Sequence, residues 1–304
     1  TLTGTIGLYK DGTTGFGINV GSGSKLQLNG KIQQGNATNY EFAKRGDGTL
    51  SGLQIDGNTT IVNNIKKLDG LKILSGTTIH MGGDRTLLGT TEIAAGATLD
   101  LRGNDIFGYE NVATMIVKGT LLLNRTRQTI KNVNNNGGLN TFVIHPGATI
   151  TGDMPTAEAE VNGGCHLNFF GDTVFKMVKD EGETGTEATI NAILGPQGKP
   201  LNMEIAQGLT LNIAATSSST GSGRQQGINK TGEGPLKIAS GANISTLASL
   251  SVAGGALVVA NDAQIPSAGV TGANAYADVT DARVYAMSGL ACATYEQGWA
   301  GKLV

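Results

Sequence analysis

Few of the side chains that ordinarily carry chemistry or clamp small folds are present. Two cysteines, Cys165 and Cys292, stand far apart with no Cys-x-x-Cys spacing, which argues against a zinc ribbon and against a disulfide scaffold. They read as two small core residues, with one long-range disulfide as the alternative. Aromatic residues are 5% of 304 positions, so a core built around large rings is not expected. With 15% charged residues and a net charge of −2, the chain has no long-range field that would gather phosphate backbones or anionic lipid. Nucleic acid is therefore excluded as the expected partner. The longest apolar stretches, such as SLSVAGGALVVA (249–260), are shorter than the roughly 18–20 residues of a membrane helix and are broken by Gly and Ser, so no spanning segment is expected. The opening TLTGTIGLYK has no basic region leading into an apolar core; any export signal is expected to have been removed or to lie upstream.

What is abundant is glycine, 47 residues against six prolines, together with 39% hydrophobic content rich in Leu, Ile and Val. Such a chain buries enough aliphatic surface to fold and turns often. It also repeats one phrase: a Gly, a small residue or Thr, then an alternating apolar strand. The phrase occurs as GSKLQL (23–28), GTTIHM (76–81), GATLDL (96–101), GTLLLN (119–124), GATITG (147–152), GLTLNI (208–213), GPLKI (234–238) and GALVV (255–259). Several neighbours are about 20 to 28 residues apart, the interval of a solenoid rung. Further period-two bursts fall between them, FGINV (16–20), TTIVNNI (59–65), FVIH (142–145) and HLNFF (166–170), bounded by Gly, Asn and Asp. No stretch sustains the 3.6-residue spacing of a helix. The expected fold is all-β, a parallel β-helix of about ten to twelve rungs and, at roughly 4.8 Å per rung, on the order of 50 Å long. Residues 1–265 are assigned to rungs and 266–304 to a β-rich cap or a continuation of the solenoid. The polar stretches 178–189 and 215–227 are expected as loops carried outside the stack.

Two segments answer each other: KRGDGTLSGLQIDGN (44–58) and KTGEGPLKIASGAN (230–243) share Lys, Gly, an acid, Gly and Leu at one spacing. Both resemble the autotransporter-associated β-strand repeat, with its Lys-x-Gly-x-Gly-x-Leu opening, Ser-Gly-x-Asn corner and later Gly-x-Leu-x-Val strand. The second copy matches at Lys230, Gly232, Gly234, Leu236, Ser240, Gly241 and Asn243, then at Gly255, Leu257 and Val259. The resemblance implies a right-handed solenoid, the hand that the crossover rule also favours. It further implies a secreted, surface-displayed bacterial passenger acting in adhesion or as a scaffold, with host-cell or matrix glycans or proteins, or other copies of itself, as partners. That family's outer-membrane barrel has no counterpart in this sequence, so either an excised passenger or another export route is expected.

Reactive constellations are sparse. Arg45-Gly46-Asp47 is a candidate integrin-type ligand, although Gly46 and the acid also belong to the repeat opening and read first as a turn. Asp100, Arg102 and Asp105 in DLRGND are the candidate polar site; glycoside hydrolysis needs two carboxyl groups about 5–10 Å apart, and Asp100 and Asp105 flank one turn. The Asp-Asp and Gly-His-Gly patterns of pectin-degrading β-helices are missing, so a polysaccharide-degrading enzyme is the weakest alternative and no catalytic residue is assigned. His80, His145 and His166 lie on different strands without metal-ligand spacing, and the acidic stretch Asp180, Glu181, Glu183, Glu187 offers oxygen ligands for Ca²⁺ but matches neither the EF-hand spacing nor the glycine-rich nonapeptide, so it reads first as a solvated loop. No metal and no cofactor is expected. The only Trp, Trp299, and three of the six Tyr, Tyr276, Tyr285 and Tyr295, gather in 273–304. They mark a cap or an assembly surface, which keeps a self-assembling extracellular fibre or coat subunit as the second reading.

Overall fold

A computed structural model describes residues 2–3, 6–8, 16–20, 22–34, 40–45, 47, 49–61, 68–81, 87–104, 106–124, 126–130, 140–152, 165–169, 171–214, 226–272, 275–279 and 282–286. Among them there is no helix. The alternation seen in the sequence becomes burial: in Leu201–Ile205, Leu201, Met203 and Ile205 are buried while Asn202 and Glu204 are half-exposed. Strands of this kind stack, each on its equivalent one rung away, into a 14-stranded sheet and a 13-stranded sheet that enclose the core. Every pairing among the described strands is parallel except those of the final hairpin. The second sheet carries eleven described parallel strands, from Phe16–Asn19 to Ala256–Ala260, as a parallel β-helix of ten to twelve rungs requires.

Register sorts the core into columns of like residues. One inward column of the second sheet runs Leu99, Leu121, Ile150, Ile190, Ile213, Ile238, Val259. One of the first sheet runs Ile55, Ile73, Ile93, Val117, Ile144, Met177, Ile205. All are buried. At about 25 cal/mol per Å² of apolar surface removed from water, this continuous aliphatic stack is the main stabilising term.

Corners recur as well. Ala97 N–H donates to Ala94 O (3.0 Å), Ala148 to His145 O (3.1 Å) and Leu209 to Ala206 O (3.2 Å). The third residue of each turn is a glycine at positive φ, Gly96, Gly147 and Gly208, which is the signature of a type II turn. Nothing lies within 4 Å of where their Cβ would sit, so backbone conformation and not space selects glycine here.

The rhythm loosens in the middle. Thr77, Thr98 and Thr120 are register partners 21 and 22 residues apart, whereas Thr120, Thr149 and Thr189 are 29 and 40 apart. The added length includes a third, three-stranded parallel sheet, Arg127–Ile130, His166–Phe169 and Ile193–Pro196. This section also corrects the expectation of a core without large rings. Phe142 makes edge-on contacts with Phe107, Phe169 and Phe175 at centroid distances of 6.5, 6.2 and 4.7 Å. Four of the seven phenylalanines thus fill the interior where the third side joins it.

At the C-terminal side, Ala275–Val279 and Ala282–Ala286 form an antiparallel hairpin whose second strand pairs with Ala256–Ala260. The ladder direction is broken there, and the edge that another parallel rung would extend is covered.

Candidate functional site

Asp47 is an exposed residue in the corner between Tyr40–Arg45 and Thr49–Asp56. Arg45 ends the first of these strands; its side chain and Gly46 lie outside the described residues, so the geometry of the triplet does too. Asp100 sits on the outward side of Thr98–Leu101, between register partners Ile79 and Leu122, yet it is buried. Its Oδ2 accepts from Arg102 Nε (3.0 Å) and Nη2 (2.9 Å) and from Asn124 Nδ2 (3.4 Å). Asp105 lies outside the described residues. Tyr285 packs partly buried against the core from the capping hairpin and is the register partner of Tyr276, whose side chain is outside the described set, as are Tyr295 and Trp299. Cys165 is buried and its Sγ donates to Leu123 O (3.1 Å); Cys292 lies outside the described residues.

The Lys-x-Gly-x-Gly-x-Leu opening has a physical basis that spacing alone does not reveal. Lys230 faces inward, in register between Met203 and Val252, with no exposed surface. Its Nζ donates to the carbonyls of Thr231 (2.9 Å), Gly232 (2.5 Å) and Gly254 (2.8 Å), so one ammonium satisfies three corner carbonyls on two rungs. Burial pulls its pKa down to about 7, and the carbonyls act against that pull because only the charged form supplies three donors. A Cβ on Gly234 would strike the carbonyl oxygens of Ala206 and Leu209, which explains the second glycine. Lys44 is likewise buried at a strand end, but in the second sheet, where Lys230 is in the first. The two look-alike segments therefore turn different corners of the solenoid and are not register equivalents.

The densest polar cluster lies at the corner from the first sheet to the second. His145 begins the turn after Asn140–Ile144, and its imidazole is 4% exposed. The loop after Thr173–Met177 folds over this corner: Gly147 N–H donates to Glu187 O (2.7 Å), Asp180 N–H to Glu183 Oε2 (2.8 Å), and Lys179 Nζ to Gly185 O (3.0 Å). Glu183 Oε2 then stands 2.9 Å from His145 Nδ1, and Asp180 Oδ2 stands 3.9 Å from it. Lys118, on the preceding rung, pairs with Asp180 and reaches Glu183 Oε1 at 3.7 Å. The Lys118 hydrogen bond holds the Asp180 carboxyl below its usual range. Burial pushes Glu183 up but is outweighed by the hydrogen bonds from His145 and the Asp180 amide, so it too is lowered. Both acids are ionised at neutral pH.

Outside the stack, register aligns polar side chains into ladders. On the second sheet Thr77, Thr98, Thr120, Thr149 and Thr189 form one half-buried column. On the first, Thr90, Thr114, Thr141, Val174, Asn202, Asn229, Ser251 and Thr271 form another. The charged column beside the latter cancels itself between rungs, Lys72 with Glu92 (2.9 Å) and Lys176 with Glu204 (3.2 Å). Sequence reading missed the meeting of His145 with the acidic loop because 38 residues separate His145 from Glu183. The threonine column was visible in the repeated phrase, where Thr follows the corner glycine at one or two residues. Comparison of the chain with models of known protein families, with curated proteins and with solved structures found no match in any of the three.

Proposed function

We propose that this β-solenoid is a secreted, surface-displayed bacterial rod that acts as an adhesin or structural scaffold, of the autotransporter-passenger type that its repeat segments resemble. The observation that carries the reading is the outward ladder of uncharged hydroxyl and amide side chains, five threonines deep on the second sheet. Groups repeated once per rung, about 4.8 Å apart, suit a ligand that is itself a repeating chain of hydroxyls, because weak contacts made in register combine as avidity. A neutral glycan is favoured over a polyanion because the threonine column is uncharged and Asp100 beside it is paired with Arg102, while on the first sheet the charges neutralise one another between rungs.

The hairpin over Ala256–Ala260 favours a discrete rod over end-to-end growth from that side, which places the fibre or coat subunit second. The test is binding of the purified rod to mucin and to arrays of neutral oligosaccharides, with Thr98→Lys/Thr120→Lys as the face-disrupting variant. Retention by the wild type and loss in the variant supports the reading; a rod that binds neither cells, mucin nor glycans and does not self-associate removes it. Release of new reducing ends or of unsaturated sugar products would instead favour the enzyme alternative.

A further inference from the structure

We infer that the corner formed by His145, Asp180 and Glu183 is a binding site for a divalent transition metal, with zinc as the best fit. One nitrogen and two carboxylate oxygens, one ligand atom from each residue, all lie within 4.8 Å of one another. A tetrahedral zinc with bonds of about 2.0–2.2 Å holds neighbouring ligand atoms roughly 3.3 Å apart. The two distances from His145 Nδ1, 2.9 Å to Glu183 and 3.9 Å to Asp180, bracket that edge, so small side-chain adjustments close the set. The mixed donors favour zinc or a neighbour of it over calcium, which takes six to eight oxygens.

The site is built before any ion enters. The His145 imidazole is almost wholly buried at the end of a core strand and aims Nδ1 at the two acids. The Asp180 amide fixes Glu183, and the Gly147 amide bonded to Glu187 O ties the loop to the corner, supporting contacts of the kind that orient metal ligands. Asp180 is the exposed member, so water or a bound ligand can complete the coordination from outside.

The cation now paired with the two acids is Lys118, through its ammonium. It is monovalent and sits on a flexible, partly exposed stem, and a divalent ion would displace it outward. Lys118 therefore competes with the metal, and removing it should improve binding, an effect that a purely structural ion-pair network would not produce.

The experiment titrates the full chain with Zn²⁺ by calorimetry, and with Co²⁺ read by its visible absorption, for wild type, His145→Gln, Glu183→Gln and Lys118→Met, with a melting curve for each. One ion per chain, at least a tenfold loss in His145→Gln and Glu183→Gln, and a severalfold gain in Lys118→Met would establish the site. Lys118→Met keeps all three ligands, so it remains informative if the other variants fold poorly. No saturable binding in either wild type or Lys118→Met, or an affinity that His145→Gln leaves unchanged, would overturn it.

Discussion

The central section, roughly 107–205, and the section that follows it to Ala260 solve the same problem differently. Both run parallel ladders through the two main sheets, and both keep the inward column Ile150, Ile190, Ile213, Ile238, Val259 unbroken. The central rungs add a third sheet and fill the interior there with four phenylalanines packed edge to face. The later rungs have no third sheet among the described residues, only the parallel bridge Asn243–Gln264 on that side, and are aliphatic and tight enough to need Gly234 against two carbonyls and a buried lysine to satisfy three more. Extra chain is thus absorbed sideways without disturbing the register of the rungs around it. The central section, not the tighter one, carries the corner cluster of His145.

The sharpest test of that contrast is Phe142→Ala. Removing the ring that touches the other three should cost about 3–5 kcal/mol, read by denaturant unfolding, with hydrogen exchange rising first in Asn140–Ile144 and Thr173–Met177. If Leu236–Ile238 lost protection equally, the two sections would be one cooperative unit and the contrast would fail.

Acid should act on a third place, His80, which faces inward between Ile61 and Leu101 and whose pKa burial lowers to about 4. The unfolded chain then binds the proton that the folded one refuses. Stability is complete above pH 6.5 and falls as pH drops toward 4, by roughly 3 kcal/mol in all. His80→Leu should flatten that slope, measured as the melting temperature between pH 7 and 4; an unchanged slope would assign the acid sensitivity elsewhere.

Lys230→Met should destabilise by about 1–3 kcal/mol although it adds apolar volume, because three corner carbonyls lose their donor. Were burial alone decisive, the wild type would gain stability as pH rises from 7 toward 10.5, since the unfolded chain keeps a proton that the folded one releases. The three carbonyls predict a weaker rise than that. The smallest effect is expected at Thr78, buried in register with Leu99, with its Oγ1 unpaired: Thr78→Val should stabilise by about 1 kcal/mol. No gain would point to a buried partner for that hydroxyl.

Much of the two-sided architecture was legible because its cause is local. The phrase Gly, Thr, alternating aliphatics encodes a corner followed by an inward Leu or Ile, and GATLDL, GTLLLN and GATITG became in-register strands on three successive rungs. Two or three strands per rung were expected, but which rungs carry the third sheet was not legible. HLNFF read as a strand, but Phe169 finds Phe142 and Phe175 only through the closure of the rung. The likeness of 44–58 to 230–243 misled in detail, since the same chemistry, a lysine beneath a corner, serves two different corners. The outward side of Asp100 follows from the alternation of TLDL, but its burial does not, because the Arg102 clamp depends on side-chain placement that no periodicity encodes.

Whether the ladder grips a repeating neutral chain by register is decided by affinity measured against ligand length. The purified rod is titrated with a graded series of one neutral oligosaccharide chosen from the array, from monomer upward. Affinity that climbs steeply with length and levels off near the span of five threonine rungs, and that does not climb in Thr98→Lys/Thr120→Lys, is the predicted result. Equal affinity for monomer and polymer, or a length dependence that the double variant leaves intact, would contradict it.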